Sequence, residues 1–166
     1  MGNVTAQCWE IAQAVKKLGG MTVCPSTLWT GEWWQTDGQA ILQATLDYVR
    51  SQGVQRIYLG GFSNGGFGIS ILAPQWKEEE EGLAGLILID GFTNGTDVRE
   101  VGLPVLIIEG LQDERVPVEA ARQFALEVGD LGTYVELEGD HFLIMKHPDL
   151  VQNEIMEWLE QQETDK

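Results

Sequence analysis

The stretch Arg56-Ile57-Tyr58-Leu59-Gly60-Gly61-Phe62-Ser63-Asn64-Gly65-Gly66 decides the fold. Its first half is an apolar run that predicts a buried strand, and its second half is Gly-x-Ser-x-Gly followed by a stretch that favours a helix. A tight turn between them would expose the hydroxyl of Ser63. We expect glycine at 61 and 65 because a Cβ at either position would collide with neighbouring backbone. The backbone amide of Asn64 would then point at the site and donate to an oxyanion.

Two later strands are predicted to end near residues that can work with a serine. The run 103–110 is apolar and leads into Asp113, and a strand that begins at Tyr134 leads into His141. A serine hydroxyl becomes a nucleophile when a neutral imidazole removes its proton, and a carboxylate can hold the other ring nitrogen. Ser63, His141 and Asp113 therefore predict nucleophile, general base and orienting acid for acyl transfer.

Each of these assignments has an alternative. Ser63 is also typical of a turn serine that hydrogen-bonds locally, since glycine- and serine-rich turns occur in many proteins without catalysis. For the acid, Glu114 and Asp90 compete with Asp113, and for the base His147 competes with His141. His147 precedes a proline at a predicted helix entry, which is typical of a capping or surface residue.

The order serine, acid, histidine, each after its own predicted strand, resembles that of the α/β hydrolases. The turn Gly-Phe-Ser-Asn-Gly-Gly and the acid loop Gly-Leu-Gln-Asp-Glu-Arg-Val-Pro are similar to those of small serine esterases, thioesterases and depolymerases of that superfamily. The resemblance runs from about residue 3 to residue 159. It implies hydrolysis of a small carboxylic ester or thioester through an acyl-enzyme on Ser63. No metal or nucleotide motif is present, so we expect no cofactor and no metal site.

Helices and strands alternate along the whole chain. This alternation predicts one domain over residues 1–166, built as a three-layer α/β sandwich with a mainly parallel sheet of about five strands. The predicted strands are Met21–Cys24, 56–62, 83–90, 103–110 and the one from Tyr134, and the predicted helices are 5–18, 38–52, 66–77, 118–128 and 148–161.

Relative to the α/β hydrolases, the N-terminal strands are missing. One of them would pair between 21–24 and 56–62 and end in a His-Gly loop that supplies the second oxyanion amide. Met1 and Gly2 align with the end of that loop, so we expect them to take over its role. The edge left open would be closed either by direct pairing of the flanking strands or by a second copy of the chain in a homodimer.

Three tryptophans lie on the loop after the first predicted strand: Trp29, Trp33 and Trp34. In this fold that loop faces the site, so the three rings predict an apolar pocket for the acyl or alcohol part of a substrate, or a hydrophobic lid. The alternative is that they fill the core beneath the loop. No large insertion fits between the serine and acid strands, so we expect an open site and a small substrate.

The charge balance excludes some partners. The chain of 166 residues has 26 acidic and 10 basic residues and a formal net charge of -16, which disfavours nucleic acid and anionic membranes as partners. No apolar run is long enough to span a bilayer, and the N-terminus lacks the pattern of a secretory signal. With only two cysteines, Cys8 and Cys24, we expect no disulfide and a reduced, cytoplasmic setting.

Two functions of different classes remain open. The first is a small serine esterase or thioesterase that uses Ser63, His141 and Asp113. The second is a catalytically impaired or non-catalytic hydrolase-like binding protein or fragment, in which the missing strand has removed the oxyanion hole.

Overall fold

Four parallel strands form the sheet in the computed structural model, which describes residues 4–27, 32–76 and 82–164. The strands are β1 (Ile57–Phe62), β2 (Leu83–Ile89), β3 (Val105–Gly110) and β4 (Gly132–Leu137), and they pair in the order β1-β2-β3-β4. Each strand is joined to the next by helical segments, as parallel pairing requires. All four strands therefore end at the same edge of the sheet, and Ser63, Asp113 and His141 follow β1, β3 and β4.

Seven α-helices lie along the described part of the chain: α1 (Val4–Lys17), α2 (Thr36–Ser51), α3 (Asn64–Leu72), α4 (Gly95–Arg99), α5 (Val118–Val128), α6 (Leu143–Lys146) and α7 (Pro148–Thr164). Two 3-10 turns, Ala73–Gln75 and Gly129–Leu131, extend α3 and α5. The first of these turns follows from Pro74, which cannot continue an α-helix. The short helices α4 and α6 lie outside the predicted elements. None of the described helices is long and apolar enough to cross a bilayer.

Side chains of β2 and β3 alternate between two apolar layers. Leu86, Leu88 and Ile107 pack towards α3, α4 and α5, while Ile89 and Ile108 pack towards α1, α6 and α7. Both faces of the sheet are covered, so the two central strands are almost continuously apolar. The structure has the predicted three-layer architecture with a parallel sheet.

The prediction of five strands is wrong, because Met21–Cys24 does not form a strand. No described strand lies next to this segment to pair with it, and Met21 remains 55% exposed. Instead, Cys24 forms a disulfide with Cys8 of α1, which corrects the expectation of two free thiols. Disulfides persist mainly in oxidising compartments. A cytoplasmic location therefore stays a prediction, and the disulfide weighs against it.

The spacing of Trp9, Ala12, Val15 and Leu18 predicts the inward face of α1, and of these Val15 packs inward while Trp9 and Leu18 are exposed. Trp9 is 64% exposed, whereas Ala14 is fully buried and Ile11 and Val15 pack against the core. The sequence predicts Asp37 or Thr36 as the cap of α2, but Gln35 occupies the cap position and Asp37 lies inside the first turn. The apolar spacing predicts inward faces that include Leu46 of α2 and Ile155 of α7, and both residues are buried.

The outer edge of β1 has no strand beside it in the described part of the chain. Ile57 and Ser63 direct their amides towards β2, so the alternation of a parallel strand turns the backbone groups of Gly60 outward. Gly60 is exposed. Since Met21–Cys24 is not a strand, direct pairing of the flanking strands does not close this edge, and pairing with a second copy remains the proposal.

We expect the chain to dimerise through β1 and the variant Gly60→Lys to weaken the dimer. A lysine on a strand edge opposes pairing with another strand, and a Cβ at Gly60 meets only Ile87, at 3.9 Å. Sedimentation velocity at several concentrations would measure the monomer–dimer equilibrium. A wild-type protein that stays monomeric at every concentration would contradict the proposal.

Candidate active site

Ser63 sits at the apex of the turn between β1 and α3. Its backbone has φ 49° and ψ -113°, a left-handed conformation that few non-glycine residues adopt. The turn is fixed from both sides, because the Ser63 amide donates to the Ile89 carbonyl at 2.8 Å and the Ser63 carbonyl accepts from Phe67 at 3.0 Å. The serine side chain is therefore presented at the carboxyl edge of the sheet.

Three glycines allow this turn to pack closely. A Cβ at Gly61 would lie 2.3 Å from the Gly65 carbonyl carbon, one at Gly66 would lie 2.1 Å from the Gly91 oxygen, and one at Gly91 would lie 2.2 Å from the Ser63 oxygen. The expectation for Gly65 is wrong, because a Cβ there meets nothing within 4 Å. The steric demand falls on Gly61, as predicted, and on Gly66 and Gly91, and sequence reasoning did not single out Gly91.

The structure brings Ser63, His141 and Asp113 together. Ser63 Oγ lies 2.8 Å from His141 Nε2, and His141 Nδ1 lies 2.7 Å from Asp113 Oδ2. Both distances fit hydrogen bonds. The carboxylate favours a proton on Nδ1, which leaves Nε2 free to accept from the serine hydroxyl. This arrangement can activate a serine.

Asp113 and His141 are both 6% exposed and are held on several sides. Asp113 Oδ1 accepts from the backbone amides of Arg115 at 2.7 Å and Val116 at 3.0 Å, so the acid loop supplies donors to its own carboxylate. The His141 ring packs against Phe62 with a centroid distance of 5.4 Å. The imidazole therefore has little freedom to rotate away from Ser63.

Gln112 joins the acid loop to the histidine loop, a role that its sequence context did not indicate. Its amide nitrogen donates to Glu138 at 2.7 Å, its amide oxygen accepts from the Gly139 backbone at 2.7 Å, and its own backbone amide donates to the Gly139 carbonyl at 2.8 Å. These bonds fix the distance between the two loops. The one feature of the sequence that could have indicated this role is that Gln112 directly precedes Asp113.

Two further carboxyl groups, those of Asp90 and Glu109, lie beside the acid. Asp90, Glu109 and Asp113 are buried, and one carboxylate oxygen from each lies within 4.8 Å of the others. Burial, together with the charges of Asp90 and Asp113, raises the pKa of Glu109 to about 9. Burial likewise raises the pKa of Asp90 to about 8, against a lowering hydrogen bond from Gly110. Oxygen ligands of this kind suit hard cations, but both Asp113 oxygens already have protein partners.

The competing residues lie elsewhere. Asp90 stands behind the acid and accepts from the Gly110 amide at 2.9 Å, while Glu114 is exposed. His147 is exposed between α6 and α7. The geometry therefore joins Asp113 and His141, and neither Glu114 nor His147, to Ser63.

The other predicted site residues are Asn64, the three tryptophans, Met1 and Gly2. Asn64 is the first residue of α3, where a backbone amide lies at the positive end of the helix. Trp33 packs against Gly68 of α3 and Trp34 packs against the core, an arrangement that fits the core-filling alternative. Met1, Gly2 and Trp29 lie outside the described residues.

A cleft of about 340 Å³ opens between the loops that follow β2 and β3. Its walls are mainly aromatic and aliphatic, with Arg115 at one side, and it is lined by Phe67, Phe92, Thr93, Arg115, Val116, Pro117, Ala120, Gln123, Phe124 and Glu127. Arg115 also lies over the ring of Phe142, 5.0 Å from its centroid. Since Phe142 follows His141, the cleft borders the side of the site that holds the acid and the histidine.

Comparisons with solved structures show many similar folds. An α/β serine hydrolase homologue from Coxiella burnetii has a TM-score of 0.72 and 22% identity, over 95% of this chain and 77% of that chain. Est1E from Butyrivibrio proteoclasticus has a TM-score of 0.77 and 18% identity, over 96% and 82%. The esterase domain of a Rhodothermus marinus protein has a TM-score of 0.74 and 14% identity, over 96% and 82%.

Comparisons of sequence give weaker matches than comparisons of structure. No family model matches the chain. A curated relative, the 2-hydroxy-6-oxo-6-(2'-aminophenyl)hexa-2,4-dienoic acid hydrolase of Metapseudomonas resinovorans, is 28% identical over 89 residues. That match covers 54% of this chain and 28% of the relative's length.

We expect Gly66→Ala to destabilise the protein strongly and Gly65→Ala to leave it as stable as the wild type or slightly more stable. Both residues lie in α3, where alanine is the better helix former by up to about 1 kcal/mol. Only the Cβ at 66 collides with backbone, that of Gly91. Urea unfolding of both variants would measure the difference. Equal loss in the two variants would show that this packing does not constrain the turn.

We expect the free energy of unfolding to fall as pH rises from about 5 to 9, and Glu109→Gln to reduce that fall. In the folded state the pKa of Glu109 is raised from 4.5 to about 9, so the folded protein binds more protons in this range and loses stability as pH rises. Glu157→Gln, at an exposed position, is the matched control for the loss of one negative charge. Denaturant unfolding at each pH would measure the free energy of unfolding. If it falls equally steeply with pH in the wild type and both variants, the raised pKa of Glu109 is contradicted.

Proposed function

The chain has the α/β-hydrolase fold, and we propose that it is a serine hydrolase that cleaves small carboxylic esters or thioesters. The observation that carries this proposal is the continuous hydrogen-bond chain from Ser63 Oγ through the His141 ring to Asp113, with distances of 2.8 and 2.7 Å. The three groups lie at the carboxyl edge of a parallel sheet, the usual place for a site in α/β folds.

The reaction follows from the positions of the protons. His141 Nε2 removes the proton of Ser63 as Oγ attacks the substrate carbonyl carbon, and Asp113 stabilises the resulting imidazolium. The imidazolium then gives its proton to the leaving alcohol or thiol, which leaves an acyl-enzyme on Ser63. Water, activated by the same imidazole, hydrolyses the acyl-enzyme and restores the serine.

The tetrahedral intermediate needs donors for its oxyanion. We assign one to the backbone amide of Asn64 at the start of α3, where the helix dipole favours negative charge. The second is assigned to Met1 and Gly2. One missing donor typically costs about 2.7–4 kcal/mol of transition-state stabilisation, so an enzyme with Asn64 alone would be slow but active.

The substrate would be small and largely apolar. The cleft beside the acid loop is lined by Phe67, Phe92 and Phe124, which favours an aliphatic or aromatic group on the acyl or alcohol side. One solved structure with this fold is an esterase domain, and we propose an ester substrate by analogy with it. The net charge of -16 disfavours strongly anionic substrates.

The second candidate is a hydrolase-like binding protein without turnover. The outer edge of β1, which has no described strand beside it, favours this alternative because the strand that carries the second oxyanion donor in the α/β hydrolases would lie there. The two candidates differ in whether Ser63 reacts.

We expect a fluorophosphonate probe to form a single covalent adduct with the wild type and none with Ser63→Ala. The probe reacts only with a serine that is activated by a base and assisted by an oxyanion donor. Intact-mass analysis would detect the adduct, and Ser51→Ala, which changes an exposed serine of α2, should still react. A folded wild type without an adduct would favour the binding protein.

A further inference from the structure

Glu109 is a buried acid that the three-residue mechanism does not use. It lies near the end of β3, fully buried, between Asp90 at the end of β2 and Asp113 on the acid loop. Among the described residues no lysine or arginine forms an ion pair with any of the three carboxyl groups; Asp113 pairs with His141 alone. A buried carboxyl group without a cation needs either a donor or a proton.

The hydrogen-bond partners available around Glu109 favour its protonated form. Among the residues that the structure describes, Glu109 as a carboxylate has no donor for either side-chain oxygen, and Asp90 Oδ2 also has none. Asp113, by contrast, accepts from two backbone amides and from His141. Among the described residues, Asp113 Oδ2 accepts only from His141 and so keeps a further lone pair, and a carboxylate oxygen of Glu109 lies within 4.8 Å of one of Asp113. If Glu109 is protonated, its hydroxyl group can donate a hydrogen bond to Asp113.

We propose that Glu109 acts as a neutral carboxylic acid that donates a hydrogen bond to Asp113 and so positions the acid of the triad. It is a positioning residue, because it reaches the reacting atoms only through Asp113 and His141. The inference rests on the proposed function for its catalytic meaning, but the hydrogen bond itself does not depend on any substrate.

This hydrogen bond would set the charge that His141 experiences. While Glu109 is protonated, part of the Asp113 charge is neutralised by its donor, and the imidazolium is stabilised less strongly. When Glu109 ionises, a second negative charge appears beside Asp113, which favours protonated His141. The other titratable groups that act on this cluster are Asp90 of the β2 end, Tyr134 of β4 and Asp140. Burial raises the pKa of Tyr134 above the range of the test.

The test follows the His141 ring by NMR as pH is raised from 5 to 10. The chain has two histidines, so His147→Gln assigns the signals. Asp90→Asn is the background, because Asp90 and Glu109 would otherwise titrate as a coupled pair; asparagine tolerates the φ of 47° at this position and keeps an acceptor for the Gly110 amide. In this background Glu109 is the remaining buried carboxyl group beside Asp113.

We expect the His141 signals to move twice in Asp90→Asn: one movement belongs to the ring itself, and the second reports the ionisation of Glu109. In the double variant Asp90→Asn/Glu109→Gln, the second movement should disappear while the first remains, and native dispersion of the remaining NMR signals would show that the fold is intact. The proposal is overturned if Asp90→Asn shows no second movement or if the double variant retains it.

Kinetics then test the positioning role. Glutamine at 109 keeps an N–H donor for Asp113 and leucine does not, so we expect Glu109→Gln to keep kcat/KM within about threefold and Glu109→Leu to lose about tenfold, the effect of one hydrogen bond to a charged group. Equal values for the two variants would overturn positioning. If the probe does not label Ser63 but the second NMR movement is present, the proposed function fails and the hydrogen bond stands.

Discussion

The contact between the backbone of Ser63 and that of Gly91 is the constraint on which the site depends. The two residues follow β1 and β2, which pair in register up to Phe62 and Ile89, and a single methyl group at Gly91 would occupy the position of the Ser63 carbonyl. The hydrogen bond from Ser63 to Ile89 holds the two strand ends together at this point. The left-handed turn, the start of α3 and the direction of the serine hydroxyl all follow from that close approach.

The other half of the site depends on hydrogen bonds between loops. Gln112 fixes the acid loop to the histidine loop, and two amides of the acid loop hold Asp113. The serine half is therefore fixed mainly by steric exclusion and the acid–histidine half mainly by hydrogen bonding. Side chains anchored in these two ways can keep catalytic distances without a bound substrate.

Much of this arrangement could be predicted from the sequence, because local patterns carried the information. The apolar runs of β2 and β3 and the elements around Ser63 have short-range signals, and the helix Val118–Val128 was predicted with its observed bounds. The errors arose where a contact distant in sequence decides the outcome. Met21–Cys24 has the composition of a strand but no described strand beside it. Cys24 pairs with Cys8, and Trp9 lies on the exposed side of α1.

The candidate site likewise contains residues that local patterns predict and residues whose roles depend on distant segments. Ser63, Asp113 and His141 could be singled out because each follows a strand, but the need for Gly91 depends on a neighbouring strand, and the role of Gln112 depends on a loop 26 residues away. Glu109 reads in the sequence as part of an apolar strand. Its environment is set by Asp90 and Asp113 from two other segments, which no local pattern records.

The disulfide between Cys8 and Cys24 affects the local stability of the segment that follows α1. Residues 18–27 contain no helix or strand, so in this segment the covalent link from Cys24 to α1 takes the place of a ladder of backbone hydrogen bonds. Regions with few backbone bonds and exposed side chains open locally at low free energy. Reduction of the disulfide would release this segment as a separate unit of local unfolding, with rapid hydrogen exchange, while the sheet and the site behind it stay folded.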